Sequence, residues 1–263
     1  MEDIASEVHQ WWSDECSAMG VDMERTACLK CLMKRTLSSL PIRNGTSDMY
    51  AADQIPDTKL FSELRAEGGR FHLHALRKDR PTRPEARALP LQCFKSCQDA
   101  TSRLVFLDLS WGGQCHGRLY IRLTGDTLRG RQFVSLCTGE EGGSFRGTRF
   151  HRVWWKGLPG EHVWTGDHEN SDGSGGRIHS SSNMEAQVPA AREVPVSPGL
   201  VAGRYEKKIL STIFRIYTQG DKDTKDEAGF GQVEFGLDVV KQAVMLKNIT
   251  EVVISDCGLV LEM

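Results

Sequence analysis

The chain has no apolar run near the roughly 18 residues a membrane-spanning helix requires, so a bilayer-crossing helix is not expected. It also lacks an excess of either charge. Its 33 Lys and Arg against 35 Asp and Glu leave a net charge of -2, which gives no overall pull toward nucleic acid or anionic lipid. No basic and apolar leader opens it: Met1-Glu2-Asp3-Ile4 is acidic and helical in pattern, unlike a signal peptide. There is no disulfide framework either. The eight cysteines are scattered and read as reduced thiols, so a cytoplasmic or nuclear setting is expected. Without secretion, the sequons Asn44-Gly45-Thr46 and Asn248-Ile249-Thr250 carry no chemistry. What remains is an ordinary globular composition, 39% hydrophobic and 26% charged over 263 residues, enough for one large domain or two smaller ones.

Ile4, Val8, Trp11, Trp12 and Met19 recur at helical spacing, and Leu29, Leu32, Met33, Leu37 and Leu40 repeat the pattern before Pro41 and Asn44-Gly45 stop it. Two helices paired as a hairpin are expected, with Trp11 and Trp12 as an apolar surface suited to packing or to a partner. His9 and Cys16 could complete a tetrahedral zinc site with the Cys28-Leu29-Lys30-Cys31 pair. A structural zinc site normally shows two such pairs, and a cysteine among helical apolar residues also serves as a small buried hydrophobe. The prediction is therefore of no bound metal and no cofactor, with these four residues as the zinc alternative.

Arg70-Phe71-His72-Leu73-His74-Ala75-Leu76 alternates as a short strand, with His72 and His74 on one face, read as solvated rather than metal-binding. Residues 77–91 hold Pro81, Pro84 and Pro90 with Arg77, Lys78, Arg80, Arg83 and Arg87, the composition of an extended linker. The expected division is a mostly helical region over 1–75, a Pro- and Arg-rich linker over 76–102, and a main domain over 103–263.

From residue 103 the pattern becomes β. Leu104-Val105-Phe106-Leu107-Asp108-Leu109 and Gly117-Arg118-Leu119-Tyr120-Ile121-Arg122-Leu123, joined through Gly112-Gly113, read as a hairpin. Helices are predicted from about Thr127 to Leu136 and from Gly236 to Met245. Many short strands with two helices point to a closed antiparallel barrel capped at its ends.

The ordered series Leu136-Cys137-Thr138-Gly139-Glu140, Phe150-His151-Arg152, Gly166-Asp167, Gly175-Gly176 and Val253-Ile254-Ser255-Asp256-Cys257-Gly258 resembles the cyclophilin family of peptidyl-prolyl isomerases. The resemblance covers roughly residues 103 to 263 and implies an eight-stranded barrel with one helix over each opening. It also implies a groove on the outer wall, where an arginine weakens the resonance of an X-Pro bond while an apolar pocket holds the ring. Arg152 matches that arginine.

The rest of the implied site has changed. Glu161 and His162 stand where the family carries pocket phenylalanine and methionine, and Trp164 replaces the substrate-binding glutamine. Arg204 and Tyr205 fall where a substrate carbonyl would lie. Thr212-Ile213-Phe214-Arg215-Ile216 sets Arg215 on the aromatic floor of the proline pocket. Asp221-Lys222-Asp223-Thr224-Lys225-Asp226-Glu227 replaces a loop that supplies tryptophan and histidine. A guanidinium cannot stand in for an apolar floor without a buried charge. The expectation is a vestigial Arg152 in an inactive isomerase fold. Its groove, lined by Arg152, Trp164, Arg204, Tyr205, Ile213 and Arg215, would bind a protein partner, with neither membrane nor nucleic acid involved; tryptophan, tyrosine and arginine are hot-spot residue types. Two alternatives accompany it: a weak isomerase using Arg152, and a zinc-containing, ubiquitin-ligase-like adaptor with a cyclophilin-like recognition domain.

Overall fold

The computed structural model describes residues 42–43, 46–55, 58–79, 87–95, 98–99, 101–140, 142–176, 193–206 and 209–262. The helical pair expected over 2–40, with Trp11, Trp12 and the zinc alternatives His9, Cys16, Cys28 and Cys31, lies outside these residues. The chain divides into two units. One is Met1–Asp99 with Val260–Met263, the other Ala100–Leu259.

The first unit, where described, is β rather than helical. Strands β1 (Ile42–Arg43), β2 (Thr46–Ile55), β3 (Thr58–Glu67) and β4 (Arg70–His74) pair antiparallel in chain order, and β5 (Arg87–Pro90) adds parallel to β2. Its sequence signal is period two: Leu60, Ser62 and Leu64 are buried while Phe61, Glu63 and Arg65 are half-exposed. Gly68 and Gly69, at φ 58 and 75, supply the two left-handed residues of a tight hairpin turn between β3 and β4. The segment read as linker carries β5 and a short helix, α1 (Leu91–Lys95). Leu89, Leu91 and Phe94 are buried there, and apolar anchors outweigh the prolines that suggested an extended tether. His72 and His74, expected on a wet face, are 0% and 1% exposed. The whole of Phe71–His74 is buried, so alternation in this strand did not separate a wet face from a dry one.

The second unit begins with the anticipated hairpin, β6 (Leu104–Trp111) and β7 (Gln114–Leu123), turning on Gly112 and Gly113. Helix α2 (Leu128–Thr138) follows. Thr127 Oγ1 accepts from the Gly130 amide at its start, and Gly139, at φ 77, ends it. Then come β8 (Arg152–Trp154), β9 (His162–Thr165), β10 (Val194–Val196), β11 (Leu200–Glu206), β12 (Ile209–Tyr217), β13 (Asp221–Asp226) and β14 (Gly229–Phe235). Helix α3 (Leu237–Val244) and β15 (Val253–Leu261) complete it. Gly236 precedes α3 at φ 84, where a Cβ would come 2.1 Å from the Arg118 carbonyl oxygen.

Within this unit the strands neighbour one another in the order β15-β6-β7-β14-β11-β12-β9-β8, while β10 and β13 pair apart as a two-stranded sheet. Among the described residues no strand ladder closes that order into the expected barrel. At the would-be seam, backbone bonds run from Gly147 N to Ile254 O (2.7 Å), Ile254 N to Thr148 O (2.9 Å) and Phe150 N to Val252 O (3.0 Å). The ladder cannot lengthen there because β8 is only three residues long and the chain turns away at Trp155, φ 54. The core centres on Phe133 of α2. Its ring lies 4.9 Å from Phe145, 4.9 Å from Phe214 and 5.2 Å from Phe230. Two helices over a mainly β domain agree with the sequence reading, and no described helix is long and apolar enough to cross a membrane.

Candidate functional site

Strand register assembles the groove. Arg152 in β8 pairs with Trp164 in β9, and Trp164 pairs with Arg215 in β12. Three residues far apart in sequence thus stand side by side. Arg152 is exposed, its guanidinium 5.6 Å from the Trp154 ring centroid. Arg215 lies over the half-buried Trp164, 4.9 Å from its centroid.

The sequence reading assigned Arg215 a charge with no answer. The structure supplies one. Asp226, at the end of β13, is buried, and its Oδ2 accepts from both Arg215 Nε (2.7 Å) and Arg215 Nη2. The Tyr217 hydroxyl donates to the same oxygen at 2.7 Å and accepts from Arg215 Nε at 3.1 Å. Burial, with Asp226 adding and Arg215 opposing, pushes the Tyr217 hydroxyl up to about 12. The segment 221–227, read as a loop, is the strand that positions this carboxylate: β13 pairs with β10, Val194 opposite Asp226. Arg215 and Tyr217, two apart on one strand, already hinted at a shared polar partner. Asp226, eleven residues on, was not identifiable as that partner.

His162 sits 4.9 Å from the Tyr217 ring and 5.7 Å from each of Trp155 and Trp164, with Nδ1 2.8 Å from the Gly160 carbonyl oxygen. Burial holds its pKa below the ordinary histidine value, against the raising effect of that carbonyl. Glu161 does not face the groove as a lost phenylalanine would. It is buried, accepting from Thr218 Oγ1 at 2.5 Å and from the Gly157 amide at 2.6 Å, and so ties down the loop before it.

Arg204 and Ile213 separate from this cluster. Arg204 is half-buried and gives Nη1 to the Gly173 carbonyl at 3.4 Å, while its own carbonyl accepts from Arg129 Nη2 at 2.9 Å. Ile213 is wholly buried beneath Gly176, where a Cβ would approach its Cγ1 to 2.7 Å, which makes it core rather than groove lining. Tyr205 is placed by its backbone opposite Leu210 in β11 and β12.

The Gly166-Asp167 pair proves to be a structural pivot. Asp167 is fully buried and accepts five backbone N–H groups, from Glu169 and Asn170 on one oxygen and Asp172, Gly173 and Gly175 on the other. Burial raises its pKa, but those donors prevail and hold it below the usual carboxylate range. A carboxylate followed by Asn170-Ser171-Asp172-Gly173-Ser174-Gly175-Gly176 carried this signal in its turn-forming composition. The loop presses on His151, since a Cβ at Gly173 would lie 2.6 Å from its ring. Burial lowers the His151 pKa as well, ahead of the opposing effect of Asp167.

Chemically, the arrangement offers one exposed guanidinium, Arg152, beside a surface of tryptophan and paired charge. Next to Trp164 lies a hydrogen-bonded Arg215–Asp226–Tyr217 set. Among the described residues no group of three or more His, Cys, Asp or Glu is placed to hold a metal ion.

Residues 106–259 match the family described as cyclophilin type peptidyl-prolyl cis-trans isomerase/CLD. A stretch of 146 residues is 28% identical to E3 SUMO-protein ligase RanBP2 of Pan troglodytes, covering 54% of this chain and 4% of that protein. The chain thus corresponds to a small part of the curated relative it matches.

Proposed function

Because the chain belongs to the cyclophilin-type peptidyl-prolyl isomerase family over more than half its length, we propose that this domain is a pseudo-isomerase, a protein-recognition module acting through a remodelled groove. The observation that carries the reading is the Arg215–Asp226–Tyr217 set on the pocket floor. Isomerisation must cross a barrier of about 18–20 kcal/mol, and Arg152 alone cannot lower it on a ring that has no apolar seat. The edge-to-edge hydrogen bonds between 147–150 and 252–254 support reading the sheet as a barrel closed without a full ladder. Arg152, Trp164 and Arg215 then form a contiguous contact strip on its wall, suited to a protein partner in the cytoplasm or nucleus. A match to 4% of a large ligase fits a domain used as one recognition module among others, and a ligase-associated setting is the second reading it favours.

The test has two arms. A peptide isomerase assay over several X-Pro substrates should show no rate above the uncatalysed one, and cyclosporin should not bind measurably. Activity that disappears in Arg152→Ala would overturn the proposal. In the other arm, co-purification of specific partners should fall in the Trp164→Ala variant. Undiminished capture of every partner would remove the groove as the interface.

A further inference from the structure

The turn leaving β8 and the segment before it carry features that, Arg152 apart, the groove does not use. Residues 142–160 contain Arg146, Arg149, Arg152 and Lys156 and not one aspartate or glutamate. All four cations are exposed, and among the described residues none of them makes an ion pair. Arg149 gives Nη1 to the Thr250 carbonyl at 3.0 Å, and Lys156 gives Nζ to the Leu246 carbonyl at 3.4 Å. Those contacts anchor the side chains and leave their charge unanswered. Among them stand Trp154, Trp155 and Leu158, 43%, 47% and 58% exposed.

Exposed tryptophan on a loose loop would signify little. This loop is held. The Leu158 amide donates to Trp155 O (2.8 Å), the Glu161 amide to Leu158 O (3.1 Å), and the Gly160 amide to Gly220 O (3.2 Å). The buried Glu161 carboxylate fixes the Gly157 amide from within at 2.6 Å. Trp155 itself lies at φ 54, a left-handed conformation that costs a bulky residue about 1–3 kcal/mol and persists only where its surroundings impose it. Its ring stands at 84° to that of His162, and a Cβ at Gly160 would come within 2.9 Å of it. The remainder faces water. Strain is thus retained to present an apolar side chain outward on a rigid frame, the pre-organisation that tight recognition uses.

We propose that this rim, Arg146 to Leu158, is the docking surface for an acidic segment of a partner protein that also carries large apolar side chains. The proposal rests on the binding-module reading and adds the chemistry of the partner. Charge complementarity selects the occupant: unpaired cations call for carboxylates, while Trp154, Trp155 and Leu158 call for apolar anchors between them. Nucleic acid would use the arginines and the tryptophans but not Leu158, and a chain of net charge -2 has no general field to draw it in.

The experiment exposes the immobilised full-length chain to a phage-displayed library of random short peptides, with oligothymidylate as a second probe. Enriched peptides should be rich in Asp and Glu around Leu, Phe or Trp, and should lose affinity as salt rises. Their binding should fall about tenfold or more in Trp155→Ala with Leu158→Ser, and separately in Arg149→Ser with Lys156→Ser. Circular dichroism should be unchanged, and the cation pair keeps the test decisive if the loop variant fails to fold. Absence of any enriched peptide, a pool without acidic bias, full binding by both rim variants, or binding of oligothymidylate in place of peptide would each overturn the inference. The Trp164→Ala variant separates the two surfaces. Peptides lost only in that variant refute the rim and leave the groove standing, whereas peptides lost only in the rim variants support the rim and remove the groove.

Discussion

Arg215 brings a charge into a partly buried position, and Asp226 is the reason the fold tolerates it. Two charges taken from water together can break even, but removing one member leaves the other uncompensated. Asp226→Asn should therefore destabilise by about 3 kcal/mol, read as a lower urea midpoint with unchanged slope. Arg215→Met combined with Asp226→Leu should recover most of that loss, because no unpaired charge remains. Titration follows from the same burial. His151 and His162 both hold pKa values below the ordinary one, chiefly because they are buried. Their contribution to stability is complete above the unfolded value of about 6.5 and is lost as pH falls through the folded value. Urea midpoints should drop between about pH 7.5 and about pH 5, and His162→Phe should make that drop smaller. An equal drop in the variant would exclude His162 as a contributor.

Among the elements, the 167–176 loop owes its shape to one carboxylate with five amide donors, not to packing. Asp167→Ala would take the shared acceptor from all five amides, that of the buried Gly175 included, at a cost of about 3 kcal/mol or more. Hydrogen exchange should show protection lost first over 169–175, ahead of β9. Sequence legibility differed sharply between elements. The β6–β7 hairpin and helices α2 and α3 were readable because each is closed locally, by a Gly-Gly turn, by Thr127 and Gly139, or by Gly236. β13 was not. Its run of alternating Asp and Lys has a loop's composition, and only pairing with β10 makes it a strand. β3 was missed because its outer face carries Glu63 and Arg65 and its inner face includes Ser62, which conceals a one-sided apolar pattern.

At the scale of the whole chain, composition set the domain that begins near residue 103, and the contact division falls at Asp99 and Ala100. What sequence could not supply was how the groove answers its own charge, because nothing in the spacing of Arg215 and Asp226, eleven residues apart on β12 and β13, marks them as partners. The unit Ala100–Leu259 holds the phenylalanine cluster around Phe133. A fragment of residues 100–263 should accordingly be soluble and unfold in one cooperative step. Coincident transitions by far-ultraviolet circular dichroism and tryptophan fluorescence would bear this out. A broad or two-phase transition would show that the domain depends on the preceding residues.

The Arg215–Asp226 pair also constrains how this lineage can change. Restoring an aromatic at 215 alone would strand a buried aspartate, and removing Asp226 alone would strand a guanidinium. Each first step passes through a less stable protein, so the two sites are epistatic. An apolar surface at this place would then need both changes together, so the pair acts as an evolutionary ratchet.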